Sequence, residues 1–215
     1  MVASSILVTG ANRGIGLELV KQLASFGGSP KPGLIIAACR NPADAAELNQ
    51  LSSSSPATKG GTEIAVIRLD VTDAASIEES YRAASTLCGG AGLNLIINNA
   101  GVFPAKYEPE KFGFESMTEA MKGNAVGPMI LTKTFRPLLV KGAQAAAAAG
   151  GGGGGGSSSV MSTAKAAVVM MSSNLGSLAN MENPTFPPTY PYYAYNASKA
   201  ALNMVRWKRT IVVLD

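Results

Sequence analysis

The chain contains no histidine, only two cysteines, one tryptophan and few charges of either sign. Without histidine there is no base for a Ser-His-Asp hydrolase, and a zinc site would need several more Cys and carboxylate ligands than the chain offers. A proton shuttle here must use Tyr, Lys, Cys or a carboxylate. Cys39 and Cys88 lie far apart in the chain, so neither a disulfide framework nor a metal cluster is indicated. No apolar run reaches the length of a membrane-spanning helix. The start has no basic region before its apolar residues, so no secretory signal is read and a cytoplasmic location is expected. The sequon at Asn196 is accordingly incidental. The net charge of +4 comes from scattered basic residues, which excludes the concentrated stripe of a nucleic-acid binder but suits a small anionic ligand.

What is present is a globular composition, 47% hydrophobic over 215 residues, enough for one domain with a substantial core. Short apolar runs at residues 4–9, 33–39, 63–69, 93–97 and 166–171 read as strands, each followed by a helical pattern. Their near-continuous apolarity fits parallel strands buried on both faces. The fold class is therefore α/β, a doubly wound, mostly parallel Rossmann-type sheet with helices on both faces. Residues 141–164 differ: an alanine run, a glycine run and a serine run read as a flexible low-complexity insertion in a single domain spanning residues 1–215.

The first strand runs into TGANRGIG at 9–16. Glycines that uncover backbone amides where a helix begins make a pyrophosphate site, or a strand-to-helix turn that merely needs glycine. Ile15, Leu19, Val20 and Leu23 give that helix an apolar face. The second strand ends at Arg40, where an acidic side chain would hold a ribose 2′-hydroxyl and an arginine a 2′-phosphate. With Arg13 inside the glycine turn, two guanidiniums favour NADP(H) over NAD(H); each is otherwise an ordinary solvated arginine. Asp70, at the end of the third strand, is placed to accept a hydrogen bond from an adenine amino group or to hold its own turn. NNAG at 98–101 follows the fourth strand. A helix from about residue 115 to 139 carries Asn124, a buried amide that must find partners, and Gly127-Pro128, which should disturb the helix. After the fifth strand come SSNLG at 172–176, a proline-rich aromatic loop and YNASK at 195–199. Tyr195 and Lys199, four apart on a helix, share a face. An ammonium beside a phenol favours the phenolate, which makes the tyrosine usable in acid–base chemistry.

Together TGANRGIG, LDVTD at 69–73, NNAG, NAVGP at 124–128, SSNLG and YNASK resemble the short-chain dehydrogenase/reductase family in order and approximate spacing. ACRNP at 38–42 is most similar to its carbonyl-reductase and sniffer-like members. The resemblance implies an NADP-dependent oxidoreductase that interconverts an aldehyde or ketone and its alcohol by hydride transfer. Its implied catalytic set is Ser173 holding the substrate oxygen, Tyr195 as acid or base, Lys199 assisting it and bonding the nicotinamide ribose, and Asn124 keeping a water in the relay. Its implied cofactor contacts are Gly10, Asn12, Arg13, Gly14, Ile15, Gly16, Arg40, Asp70, Val71, Asn98, Ala100 and Gly101, with Tyr195 and Lys199. A small-molecule substrate is the expected partner, and the two long helices leave room for a homodimer.

Two departures from the family pattern stand out. The interval from Ser173 to Tyr195 is longer than usual and carries Pro184, Pro187, Pro188 and Pro191. Family members also continue past the Tyr-Lys helix into a strand, a Pro-Gly turn, a substrate cover and a last strand. Residues 210–214 read as a helix end or one short strand, and the expectation is a sheet lacking its last strand or strands. The alternative function that follows is a weak or inactive chain acting through protein contacts.

Overall fold

The structure is a computed structural model and describes residues 4–27, 31–54, 61–103, 113–149, 166–182, 192–205 and 210–213. Six parallel strands form one sheet in the order β3-β2-β1-β4-β5-β6: β1 Ser5–Thr9, β2 Leu34–Cys39, β3 Glu63–Arg68, β4 Leu95–Asn98, β5 Ala167–Met171 and β6 Thr210–Val213. Residues 210–213 are thus a strand, paired with β5 from Val168↔Thr210 to Met171↔Val213. The helices are α1 Gly14–Ala24, α2 Ala46–Ser54, α3 Ala74–Cys88, α4 Phe114–Met121, α5 Gly127–Ala149 and α6 Tyr193–Met204.

Strand side chains alternate between two cores. Ile6, Val8, Ile35, Ala37, Leu95 and Ile97 pack with Leu17 and Val20 of α1 and Leu48 of α2. Leu7, Ile36, Ile96, Val168 and Met170 pack with Ile77 and Ala84 of α3, with Leu131, Phe135 and Leu138 of α5, and with Leu202 of α6. Both faces are covered, which is why the strands read as unbroken apolar runs rather than as an alternation. Sequence order reverses between β1 and β4, and the crevice at their carboxyl ends is where such sheets take ligands.

Three expectations change. Ile15 does not join the apolar face of α1; it is 58% exposed, and Leu17 takes the buried position. The single helix expected over 115–139 is α4, a π-helical segment Lys122–Val126 and α5. The irregularity that Gly127-Pro128 was expected to cause is that π turn. Residues 141–149, expected to belong to the flexible insertion, are helical, because α5 runs on through the alanine run to Ala149; alanine is the strongest helix former. The glycine and serine runs, and the proline loop at 183–191, lie outside the described residues.

Candidate functional site

The β1–α1 turn is built around two glycines in the left-handed region, Gly10 at φ 65° and Gly14 at φ 56°. Gly16 serves a different purpose. A Cβ there would sit 2.2 Å from the Gly10 carbonyl oxygen and 2.5 Å from Asn99 Nδ2, so only glycine lets α1 lie against the turn. Asn99 Nδ2 donates to the carbonyls of Thr9 (2.9 Å) and Gly10 (3.3 Å). The backbone N–H groups of Asn99 and Ala100 donate to Thr9 Oγ1 at 3.0 and 2.9 Å. The ends of β1 and β4 are thereby locked side by side. Arg13 occupies the α1 N-cap without a side-chain cap bond, and no acidic residue lies in the first turn. The first-turn N–H groups and the helix dipole are left to an anion.

That turn forms one wall of a cavity of about 590 Å³, lined also by Cys39 at the end of β2 with Arg40 and Asp44 beyond it, by Leu69, Asp70, Val71 and Thr72 after β3, and by Asn99, Ala100, Gly101 and Val102 after β4. Gly10, Asn12, Arg13, Gly14 and Ile15 line it from the turn. Of the expected cofactor contacts, Gly10, Asn12, Arg13, Gly14, Ile15, Arg40, Asp70, Val71, Ala100 and Gly101 therefore meet in one place. Gly16 and Asn98 do not line it. Asn98 is buried in the sheet and donates through Nδ2 to Thr132 Oγ1 at 3.4 Å, and its Oδ1 finds no partner among the described residues. Its neighbour Asn99 holds the cavity wall instead, a role the NNAG doublet signalled without saying which asparagine points where.

Asp70 holds its own turn and lines the cavity at once. Its Oδ1 accepts from the Thr72 N–H (2.9 Å) and the Thr72 hydroxyl (2.7 Å). Burial alone would raise its pKa, but the two Thr72 hydrogen bonds and the fields of Arg40 and Arg68 outweigh it and hold the carboxyl below its ordinary value. Arg13 and Arg40 are both exposed and form no ion pair among the described residues. A helix N-terminus with no side-chain cap bond, a Gly14 whose absent Cβ would meet nothing within 4 Å and two exposed guanidiniums with no salt bridge among the described residues fit a ligand carrying several phosphates.

A second cluster lies beside Val102. Asn124, 1% exposed in the π turn, accepts from the Val102 N–H at 2.7 Å and donates to the Val102 carbonyl at 2.8 Å and to Ser198 Oγ at 2.9 Å. Ser198 Oγ donates to the Tyr195 carbonyl at 2.7 Å. The Asn124 side chain thus clamps the segment after β4 to α6, the structural one of the two parts open to a buried amide, water holding being the other. Nothing in the residue pattern singled out Ser198, which lies inside YNASK between Tyr195 and Lys199. Phe103, next to Val102, packs against the Tyr195 ring with centroids 4.5 Å apart. Lys199 Nζ lies 5.6 Å from the centroid of that ring and donates to the Met171 carbonyl at 2.6 Å. Ser173 is buried, and its Oγ accepts from the Leu175 N–H at 3.2 Å. Ser172 Oγ is turned to α6 and donates to Asn203 Oδ1 at 2.5 Å. Tyr195, Lys199, Asn124 and Ser173 do not line the 590 Å³ cavity; Val102 and Phe103 connect its rim to them.

The model of the short chain dehydrogenase family matches residues 4–183. An uncharacterized oxidoreductase of Schizosaccharomyces pombe is 32% identical over 134 residues, 62% of this chain but 48% of that protein. The short-chain dehydrogenase/reductase tropE of Talaromyces stipitatus is 28% identical over 210 residues, covering 93% of this chain and 69% of its own. The match to the yeast relative thus spans about half of that protein's length. Among solved structures, NADPH-bound carbonyl reductase from chicken fatty liver superposes with a TM-score of 0.80 at 32% identity, over 100% of this chain and 79% of its own. Carbonyl reductase Sniffer of D. melanogaster gives 0.75 at 30% identity, over 94% and 72%.

Proposed function

This chain belongs to the short-chain dehydrogenase family, and from that membership we propose that it is an NADP(H)-dependent oxidoreductase interconverting a small aldehyde or ketone and its alcohol, with Tyr195 as the proton-transfer group. The observation that carries this reading is the approach of Lys199 Nζ to the Tyr195 ring, 5.6 Å from its centroid, on one face of α6. Phe103 and Val102 join that pair to the cavity that Gly10, Arg13, Arg40 and Asp70 line, where the cofactor phosphates would lie.

When bound, the reduced nicotinamide supplies a hydride to the carbonyl carbon. Tyr195 gives its phenolic proton to the carbonyl oxygen as negative charge develops there, and Lys199 stabilises the phenolate left behind. The Ser173 hydroxyl, whose oxygen accepts from the Leu175 N–H, donates its proton to the same oxygen and fixes its distance from Tyr195. In the direction of alcohol oxidation the phenolate takes the proton back. Positioned proton transfer of this kind contributes on the order of 10²–10⁴ to rate.

Preference for NADP(H) rests on Arg13 and Arg40, which line the cavity and form no salt bridge among the described residues, although the Arg40 charge acts on Asp70. Asp44 lines the same wall, but its carboxylate is engaged by Asn41 Nδ2. Val126 at the end of the π turn and Met129, Ile130 and Val140 of α5 are exposed; a homodimer that buried them would be read by sedimentation of the purified chain. The test of the activity is consumption of NADPH, with NADH in parallel, over a panel of small aldehydes and ketones. Carbonyl-dependent oxidation, faster with NADPH, is expected. The absence of both NADPH consumption and a thermal shift with NADPH would overturn the reading.

A further inference from the structure

Tyr195, Lys199 and Asn203 follow one another at four-residue intervals on α6 and so form one polar stripe. Each member beyond the tyrosine grips the segment that leaves β5. Lys199 Nζ donates to the carbonyl of Met171, the last residue of β5. Asn203 reaches both ends of the turn that carries Ser173: its Oδ1 accepts from Ser172 Oγ at 2.5 Å, and its Nδ2 donates to the Gly176 carbonyl at 3.2 Å. Gly176 has no room for a side chain because a Cβ would lie 2.7 Å from the Lys199 carbonyl carbon and 2.8 Å from Lys199 Cβ. The turn therefore lies flat on α6 at Lys199 and is bracketed one helical turn further on.

We propose that Asn203 is a positioning residue: by bracketing the Ser172–Gly176 turn it sets where Ser173 stands relative to Tyr195, and so where a substrate oxygen is held. This rests on the oxidoreductase reading for its kinetic consequence, though not for the bracket itself. Asn203 touches neither substrate nor cofactor in this scheme and acts through Ser173. The chemistry makes it specific. One side-chain amide supplies an acceptor for a hydroxyl and a donor for a carbonyl, and both partners flank the same short turn.

The test uses the full chain with Asn203→Ala, Ser173→Ala and the double variant. Asn203→Ala is expected to lower kcat by about 10- to 100-fold, the order lost when a reacting group is misplaced by about 1 Å, with NADPH affinity little changed. On the Ser173→Ala background the same substitution is expected to have no further effect on kcat. An equal loss on both backgrounds, or no loss on the wild-type background, overturns the proposal. Should Asn203→Ala fail to fold, Asn203→Asp keeps the acceptor for Ser172 and removes the donor to Gly176, and the same comparison is made with it. Amide hydrogen exchange reads the bracket without turnover. The Gly176 N–H donates to the Ser173 carbonyl and the Ser177 N–H to the Asn174 carbonyl, both at 3.0 Å. Both amides are expected to exchange faster in the variant while those of Ile35 and Ile36 in β2 do not; unchanged exchange at Gly176 and Ser177 overturns the proposal. A wild-type chain with no carbonyl turnover instead sinks the oxidoreductase reading and leaves the exchange arm to decide the bracket.

Discussion

Gly16→Ala offers a perturbation whose size can be worked from the backbone. The added Cβ would stand 2.2 Å from the Gly10 carbonyl oxygen, 2.9 Å from its carbon and 2.5 Å from Asn99 Nδ2. To reach ordinary contact, turn and helix must part by roughly 1 Å or more. The nearest obstacle is backbone, so no rotamer change relieves it. Overpacking of this kind costs about 1–3 kcal/mol, which at roughly 2–4 °C per kcal/mol for a chain of this size lowers the melting temperature by about 2–12 °C. The displaced atoms are those that hold the Gly10 carbonyl and the start of α1, so NADPH affinity should fall by about tenfold or more, a loss of about 1.4 kcal/mol. Gly27→Ala is the control, since a Cβ there meets nothing within 4 Å. Gly14→Ala separates strain from crowding: its Cβ also meets nothing, but φ is +56°, which costs about 1–2 kcal/mol. Scanning calorimetry and a calorimetric titration with NADPH measure both quantities. If Gly16→Ala melts with Gly27→Ala and binds NADPH as the wild type does, the cradle described for the β1–α1 turn is wrong.

Arg40→Asp should weaken NADPH and bring NADH level or ahead, because a charge-assisted contact worth about 1.5–3 kcal/mol becomes a repulsion; the ratio of the two dissociation constants checks it. For Asp70 the folded-state pKa is lowered, so its stabilisation is present above the unfolded value of about 3.9 and is lost as pH falls through the folded value. Asp70→Asn should therefore lower the urea midpoint at neutral pH and leave a shallower decline below about pH 4; parallel pH curves would contradict this. Phe135→Ala removes a ring that is 0% exposed and edge-on to Tyr81, centroids 5.6 Å apart at 85°. A loss of about 3–5 kcal/mol is expected in chemical denaturation.

Much of the fold was legible in the sequence because both faces of the sheet are covered, and burial on two sides writes each strand as an unbroken apolar run. Asp73 shows the same at a helix start: an aspartate just ahead of a helical pattern is a preferred cap, and its side chain accepts from the Ala75 N–H. The cavity was legible because its walls are loops at strand ends, where glycine, Arg40 and Asp70 carry chemistry a sequence displays. What stayed hidden depends on side-chain direction. Asn98 turns into the sheet and Asn99 toward the β1 turn, and nothing in the NNAG doublet distinguishes them. The packing requirement at Gly16 was also hidden, since the atom that forbids a Cβ comes from Gly10 across the turn. Ser198 and Asn203 are unremarkable on a helix until their partners, Asn124 and the Ser172–Gly176 turn, are brought from distant stretches of chain. The low-complexity tract misled at its near end because an alanine run can lengthen a helix as readily as it can belong to a loop.

The proton step at Tyr195 is tested most directly by Tyr195→Phe, which keeps the ring against Phe103 and removes only the hydroxyl. Steady-state turnover of a carbonyl substrate with NADPH is expected to fall by about 10²–10⁴, while calorimetry finds NADPH binding retained. Turnover equal to that of the unsubstituted chain would contradict the assignment of Tyr195 as the proton donor.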